Sequence, residues 1–459
     1  MDRNFDVIVV GAGPCGEAVV SELGDSELSV AVVESHLVGG ECPYYACIPT
    51  KTMLRSAEVV AETRRGRELA FSDVDFAIDY PKIATRVSWM ARDLDDSRPA
   101  KALQDTGATL FRGQGLLTGP GLVEVDGEQL TATRGVVIST GTAPAVPSIP
   151  GIDGVPFWTN RDAVLAAELP RSLIVLGGGA VGVELAQAFG RLGTRVTLVE
   201  GAPHLVPAEE PEAGALIRGH LEADGVHVIV GAKVVAVVSA PRPAPGGILV
   251  ELGQGHTHTG ERLLVATGRK PNLEGIDLAL AGLATDSRGW LRTDPVSLLA
   301  GERVWAGGDI TGIAPFTHVA DYHGRVIARS LLGSQRPAAT SVVPRATFTD
   351  PEIASVGLTE AQARSRGLSV LVIAADAAET ARGYIHGFTG GGLVKVVVDR
   401  RLGLLVGATI VSPRAGEMIG ELALAMRAQV PVSVLGDTIH AFPTFSRVLQ
   451  GVLDQAARG

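Results

Sequence analysis

The chain has 459 residues, a formal net charge of −10 and three cysteines; its length suits two or three domains. With 46% hydrophobic and 20% charged residues it reads as an ordinary globular protein, and the acidic balance, without a basic run or zinc-ligand spacing, excludes a general nucleic-acid surface. The apolar run Val7 to Val10 is too short to cross a membrane and no signal-peptide cleavage pattern follows it, so the expectation is a soluble, cytoplasmic protein with no membrane partner and no metal site.

Val7 to Val10 predicts a buried strand from its β-branched run. Gly11 to Gly16 forms a turn, Glu17 to Leu23 begins a helix, and Val30 to Val33 predicts a strand ending at Glu34. A polar helical stretch follows over about residues 52–106, then short strands over 108–139. Pro144, Pro147 and Pro150 mark a domain boundary. The opening pattern then repeats: strand Leu173 to Leu176, turn Gly177 to Gly182, helix Val183 to Leu192, and strand Arg195 to Val199 ending at Glu200. Residues 241–247 read as a hairpin loop because strand-like runs flank them. A second boundary falls near Lys270-Pro271-Asn272. From Ser341 the pattern changes to strands at Ala346 to Phe348, Leu368 to Ala374, Val394 to Val398 and Gly403 to Ile410, then a helix near 415–428. This predicts a separate α+β domain.

The first turn reads Gly11-x-Gly13-x-x-Gly16, between a strand and a helix, with Glu34 closing the next strand. Glycines there allow a tight turn and close approach of backbone to a pyrophosphate, and the helix N-terminus offers N–H donors. An acid at the end of the second strand can take ribose hydroxyls. Gly177, Gly179 and Gly182 with Glu200 repeat the arrangement. Two such folds in one chain imply two dinucleotides. At the second, Glu200 favours a free ribose 2′-hydroxyl and no Arg follows in Gly201 to Pro207, so NAD(H) is preferred over NADP(H). Cys15, inside the first turn, reads as a small packing residue.

Residues 39–51 read Gly-Gly-Glu-Cys-Pro-Tyr-Tyr-Ala-Cys-Ile-Pro-Thr-Lys. Cys42 and Cys47 can meet as a disulfide if the backbone bends between them, and in a reducing compartment such a pair points to catalysis rather than to a structural staple. The bland reading is two unrelated buried thiols. Pro43 suits a first helical position, which would start a helix near Cys42 and lower a thiol pKa there. Tyr44 and Tyr45 between the cysteines either shape a pocket, donate hydrogen bonds or simply fill space.

With this segment in place, the chain resembles the class I pyridine nucleotide-disulfide oxidoreductases, the family of lipoamide dehydrogenase, glutathione reductase and mercuric reductase. The resemblance runs from Asp6 to about Gln450 and includes Ile138-Ser139-Thr140-Gly141-Thr142, Val265 to Asn272 and Val304-Trp305-Ala306-Gly307-Gly308-Asp309. It implies an α/β protein of two doubly wound dinucleotide-binding domains plus a C-terminal α+β dimerisation domain. FAD would bind to residues 1–149 and 271–338, NAD to 150–270, and dimer contacts would come from 339–459. The implied FAD residues are Gly11, Gly13, Gly16, Glu34, Gly40, Lys51, Gly115, Thr140, Gly141 and Asp309; Gly268 sits at the return turn after the NAD fold. Lys51 would pair with Glu184 beside the flavin; the bland reading of Glu184 is a solvent-facing helix residue. Cys47 would be the thiolate facing the flavin and Cys42 the interchange thiol that meets a small-molecule substrate.

One element departs from the family pattern. Disulfide-exchanging members carry a His-Pro-x-x-x-Glu base pair that reaches the partner subunit's active site in a homodimer. Here the segment reads His440-Ala441-Phe442-Pro443-Thr444-Phe445-Ser446-Arg447, with Phe442 at the His position and Arg447 at the Glu position. Phenylalanine cannot move a proton. His440 could stand in, but a structural role ranks higher. The His-to-Phe change resembles ketopropyl-coenzyme M carboxylase, where an apolar side chain excludes a proton source. The final residues carry no cysteine, unlike mercuric reductases and large thioredoxin reductases. The expected function is therefore an FAD-dependent NAD(P)H oxidoreductase acting through Cys42–Cys47 on a non-standard thiol, disulfide or thioether. The alternative is a diaphorase that reduces quinones or metal ions, with the dithiol accessory.

Overall fold

The structure is a computed structural model and describes residues 3–240, 247–334 and 336–458. The chain folds as two compact units, each assembled from three separate stretches.

The first unit comprises Met1–Pro49, Ser88–Ala145 and Arg269–Thr340. Its central strand, Arg3–Val10, lies parallel to Val30–Glu34 on one side and to Glu128–Ile138 on the other. Strands Thr109–Arg112 and Val304–Ala306 extend the parallel sheet outward. Side chains Val7 to Val10 are buried on both faces, as a sheet covered on both sides requires. One face packs on helices Pro14–Leu23 and Thr317–Leu331; the other carries Val10, Val33, Val123 and Ile138. The first helix starts at Pro14, three residues before the predicted Glu17, because proline fits its first position without losing a hydrogen bond.

The second unit comprises Thr50–Val87, Val146–Gly268 and Ser341–Gly459. A five-stranded sheet runs in the order His227–Ile229, Arg195–Val199, Ser172–Leu176, Arg262–Val265, Phe157–Trp158. All four pairings are parallel. Helix Ala180–Leu192 packs through Val183, Leu185 and Phe189 against this sheet. Strands Val234–Ser239 and Ile248–Leu252 pair antiparallel, as a hairpin would; the loop expected at 241–247 lies outside the described residues except for Gly247. The C-terminal part forms a five-stranded antiparallel sheet, covered by helices Ala415–Arg427 and Arg447–Arg458. The boundaries of all four predicted strands there lie within two residues of those observed.

Candidate active site

The first turn has the shape its sequence predicts. Gly11 has φ +100°, and a Cβ on it would sit 2.5 Å from the carbonyl oxygen of Ser139; one on Gly16 would sit 2.1 Å from that of Gly11. No other residue fits either position. Glu34 accepts hydrogen bonds from Ala12 N–H and His36 N–H, both at 2.7 Å. Two such bonds leave acceptor sites on both oxygens for ribose hydroxyls. Gly40 and Gly13 face each other so closely that a Cβ on Gly40 would reach 2.9 Å from Gly13. Gly115 is required by packing: a Cβ there would meet Val10 at 2.9 Å and Val33 at 3.2 Å.

Thr140 and Gly141 interlock with the turn at Asn272. The Thr140 hydroxyl donates to the Asn272 carbonyl at 2.7 Å, and Asn272 donates its amide back to Thr140 O and its backbone N–H to Gly141 O. Asp309 follows strand Val304–Ala306 and accepts from the Thr142 hydroxyl at 3.1 Å. Burial raises its carboxyl pKa, and Arg269 partly opposes the rise. Arg269 itself grips Thr142 twice, at 2.5 and 2.7 Å, and lies 3.9 Å from Glu41. Sequence reasoning quoted Arg269 within its motif but gave it no role; its partners lie 127 or more residues away.

All three cysteines are free thiols. Cys15 is buried, and desolvation raises its pKa to about 12, which fits packing rather than redox work. Cys42 and Cys47 are half-buried neighbours joined by a thiol–thiol hydrogen bond. That bond, followed by burial, pushes the Cys42 thiol far above its ordinary pKa, while a hydrogen bond with Thr317 pulls it down. The Thr317 hydroxyl also lies 3.4 Å from the Cys47 sulfur. One hydroxyl therefore serves both sulfurs. Thr317 opens helix Thr317–Leu331, whose N-terminus adds a positive dipole end beside the pair. Nothing local marks Thr317, which is 270 residues from Cys47.

The helix start expected near Cys42 is present, two residues before Pro43. Gly40, at φ +68°, caps a four-residue helix Glu41–Tyr44, so Pro43 is its third residue rather than its first. The long helix begins at Cys47 and runs to Leu69. Both cysteines thus lie in the first turn of a helix, Cys42 in the four-residue one and Cys47 at the head of the 23-residue one, whose longer dipole favours a thiolate at Cys47 more. Tyr44 is fully buried and donates its hydroxyl to Val38 O at 2.9 Å, so it is a core residue with a satisfied polar end. Tyr45 is half-buried beside it, ring centroids 6.3 Å apart.

In the second unit Lys51 meets Glu184 at 2.7 Å. Glu184 is 2% exposed and also accepts the Phe348 N–H at 2.8 Å. The solvent-facing reading of Glu184 is overturned, since helix Ala180–Leu192 turns this position inward. Lys51 lies over the Phe348 ring, 5.0 Å from its centroid. The second dinucleotide turn mirrors the first: a Cβ on Gly182 would sit 1.8 Å from Gly177 O, and Glu200 accepts from Gly178 N–H at 2.5 Å and Ala202 N–H at 2.6 Å. Gly179 has open space at its Cβ position, and Gly268 has φ +132°.

His440 faces two acceptors, Glu421 at 2.9 Å and Thr438 O at 3.0 Å. Both ring nitrogens are engaged, one by the neighbouring Thr438 carbonyl and one by Glu421 on helix Ala415–Arg427, which supports the structural role. Phe442 is 73% exposed. Among the described residues no group of three His, Cys, Asp or Glu side chains could hold a metal ion, and no helix is long and apolar enough to cross a membrane.

Parallel sheets, two glycine turns closed by acids and an adjacent thiol pair define a dinucleotide-dependent thiol enzyme. Residues 5–324 match the pyridine nucleotide-disulphide oxidoreductase family and residues 343–452 match its dimerisation domain. The chain belongs to the class I pyridine nucleotide-disulfide oxidoreductases, which are flavin-dependent enzymes. It is 35% identical to the dihydrolipoyl dehydrogenase of Thermus scotoductus, over 99% of this chain and 97% of that one. It is 31% identical to a mercuric reductase of Staphylococcus aureus, over 98% of this chain and 82% of that one. Among solved structures, the HOCl-induced flavoprotein disulfide reductase RclA of Escherichia coli superposes with a TM-score of 0.85 at 27% identity, covering 98% of this chain and 99% of that one. FAD is expected of this family, and the notch between Gly13 and Gly40, the open acceptor sites of Glu34 and the buried Asp309 fit it.

Proposed function

We propose that this enzyme is an NADH-driven, FAD-dependent oxidoreductase whose redox-active Cys42–Cys47 pair acts on a non-standard thiol, disulfide or thioether substrate. It works as a cytoplasmic homodimer. FAD is held by residues 1–149 and 271–338, NAD(H) by 150–270, and dimer contacts come from 339–459. The observation that carries this reading is the thiol pair itself: two neighbouring sulfurs sharing one hydroxyl, Thr317.

Bound FAD supplies a two-electron relay between nicotinamide and sulfur. The protein residues supply the rest. Glu200 orients the nicotinamide nucleotide through its ribose, and Glu184 fixes the Lys51 ammonium. The disulfide form of Cys42–Cys47 takes two electrons and two protons to become the dithiol. For a disulfide substrate, the Cys42 thiolate attacks one sulfur and releases one thiol; Cys47 then displaces the second thiol and re-forms the disulfide. Thr317 stabilises the thiolate in both steps by hydrogen bonding. Phe442, extended on the surface, closes the partner's thiol pocket against water, so a protonation-dependent exchange with an ordinary dithiol is slow.

The test is anaerobic titration of the holoenzyme with NADH, followed by visible absorbance. A long-wavelength thiolate-to-flavin band at two electrons per flavin, absent in Cys47→Ser, is the expected result. Bleaching of the flavin without that band would overturn the dithiol reading. The second reading, a diaphorase reducing quinones or metal ions, is favoured by the raised Cys42 pKa and the missing base. It predicts full turnover with Cys42→Ser.

A further inference from the structure

Loop 201–210 connects Glu200 to helix Pro211–Ala223. Val206 in this loop has φ +44°, a conformation that β-branched residues adopt only under constraint. Its N–H donates to Gly178 O at 2.8 Å, inside the second dinucleotide turn. The Leu205 side chain fills the space beside Gly178, 2.6 Å from where a Cβ would stand. The strained residue therefore lies directly against the turn whose acid is Glu200.

The far end of the loop is gripped by ions. Arg345, on strand Arg345–Thr347, makes a two-pronged contact with Glu209 at 2.7 and 2.8 Å. Ser355 also donates to Glu209. Lys395, 4% exposed on strand Leu393–Asp399, meets Glu210 at 3.1 Å, Glu212 at 2.7 Å and Glu360 at 3.0 Å. Buried ion clusters add little net stability over apolar packing, and their better-attested use is to fix one geometry. No step of the proposed reaction uses either cation.

We infer that Arg345 and Lys395 are positioning residues for the second dinucleotide, holding loop 201–210 in the strained form that shapes the Glu200 pocket. This rests on the reading that the Gly177–Gly182 turn takes a nicotinamide nucleotide. Freed of its anchors, the loop would relax Val206 toward negative φ and withdraw its N–H from Gly178.

The test is steady-state NADH oxidation by the holoenzyme with ferricyanide as acceptor. Arg345→Gln should raise KM for NADH three- to tenfold with kcat within twofold. Adding Val206→Gly, which accepts φ +44° without strain, should recover most of that loss. Should Arg345→Gln fail to fold, Arg345→Lys keeps a charge for Glu209 while losing the fork, and should show a smaller rise that Val206→Gly again recovers. An unchanged KM, or a rise that Val206→Gly leaves untouched, would overturn the inference while leaving the cofactor reading intact. A parent enzyme that does not oxidise NADH at all would sink the cofactor reading and the inference with it.

Discussion

A single hydroxyl carries much of the thiol chemistry. Thr317 lies 3.4 Å from the Cys47 sulfur and lowers the Cys42 pKa against the thiol–thiol bond and burial that raise it. A hydrogen bond to a charged partner contributes about 1.5–3 kcal/mol, and 1.36 kcal/mol corresponds to one pH unit. Thr317→Val, close in volume but without the hydroxyl, should therefore move the pH midpoint of iodoacetamide alkylation of the reduced pair upward by about one unit. At fixed pH near neutrality the rate should drop about tenfold. An unshifted profile would remove Thr317 from the site. The contrast with Lys51 and Glu184 shows what sequence can and cannot reveal about residues. Glu184 is two positions past a glycine turn and Lys51 four past a cysteine, so each sits in a local pattern that names it. Arg269 lies in the Val265 to Asn272 segment, which gives it no role, and Thr317 and Phe348 sit in no such pattern. They reach the site through folding across 127 to 270 residues, and only coordinates show which backbone or sulfur they meet.

At the scale of elements, strands and helices were legible wherever a periodic apolar run ends in glycine, acid or proline. Strand Arg195–Val199 is an example. The start of the redox helix was not. Pro43 is a valid first-turn residue, but it sits in a separate short helix headed by Gly40 at φ +68°, and the long helix starts at Cys47 with Pro49 as its third residue. A different helix start has a measurable consequence. Glu352 accepts the Gly416 N–H at 2.8 Å, at the head of helix Ala415–Arg427. Burial raises its pKa from 4.5 to about 7, opposed by that bond and Arg414 and reinforced by Glu417 and Glu58. A carboxyl whose folded pKa is raised contributes stability that is fully present below about pH 4.5 and is lost as pH rises through about 7. Glu352→Gln keeps the acceptor and removes the titration. The variant should gain on the parent by about 2–3 kcal/mol between pH 5 and pH 8. Urea denaturation at the two pH values measures this, and equal differences at both would remove the burial argument.

The whole molecule poses the question of what covers its C-terminal surface. Ile439, 92% exposed, and Leu424, 68% exposed, line a cavity of about 360 Å3 with Glu421, Val430, Leu435 and His440, and Phe442 nearby in sequence is 73% exposed. Exposed apolar groups gathered on one segment mark an interaction surface. That segment falls within residues 343–452, the part that matches the family's dimerisation domain. On the proposed function the occupant is a second copy of the chain, with Phe442 approaching the partner's thiol pair. Ile439→Asp separates this from a surface that merely stays wet. An almost fully exposed side chain has few contacts within its own chain to lose, so the thermal midpoint of the isolated subunit should hardly move. In a dimer interface the new carboxylate is buried without a partner and costs about 3 kcal/mol or more. The dimer dissociation constant should then rise by about a hundredfold or more. Sedimentation velocity across a concentration series reads that directly. Loss of the dimer should carry turnover down with it, because Phe442 then closes no pocket. A variant that stays dimeric at every concentration would place the interface elsewhere, and Phe442 would be a surface residue with no part in the chemistry.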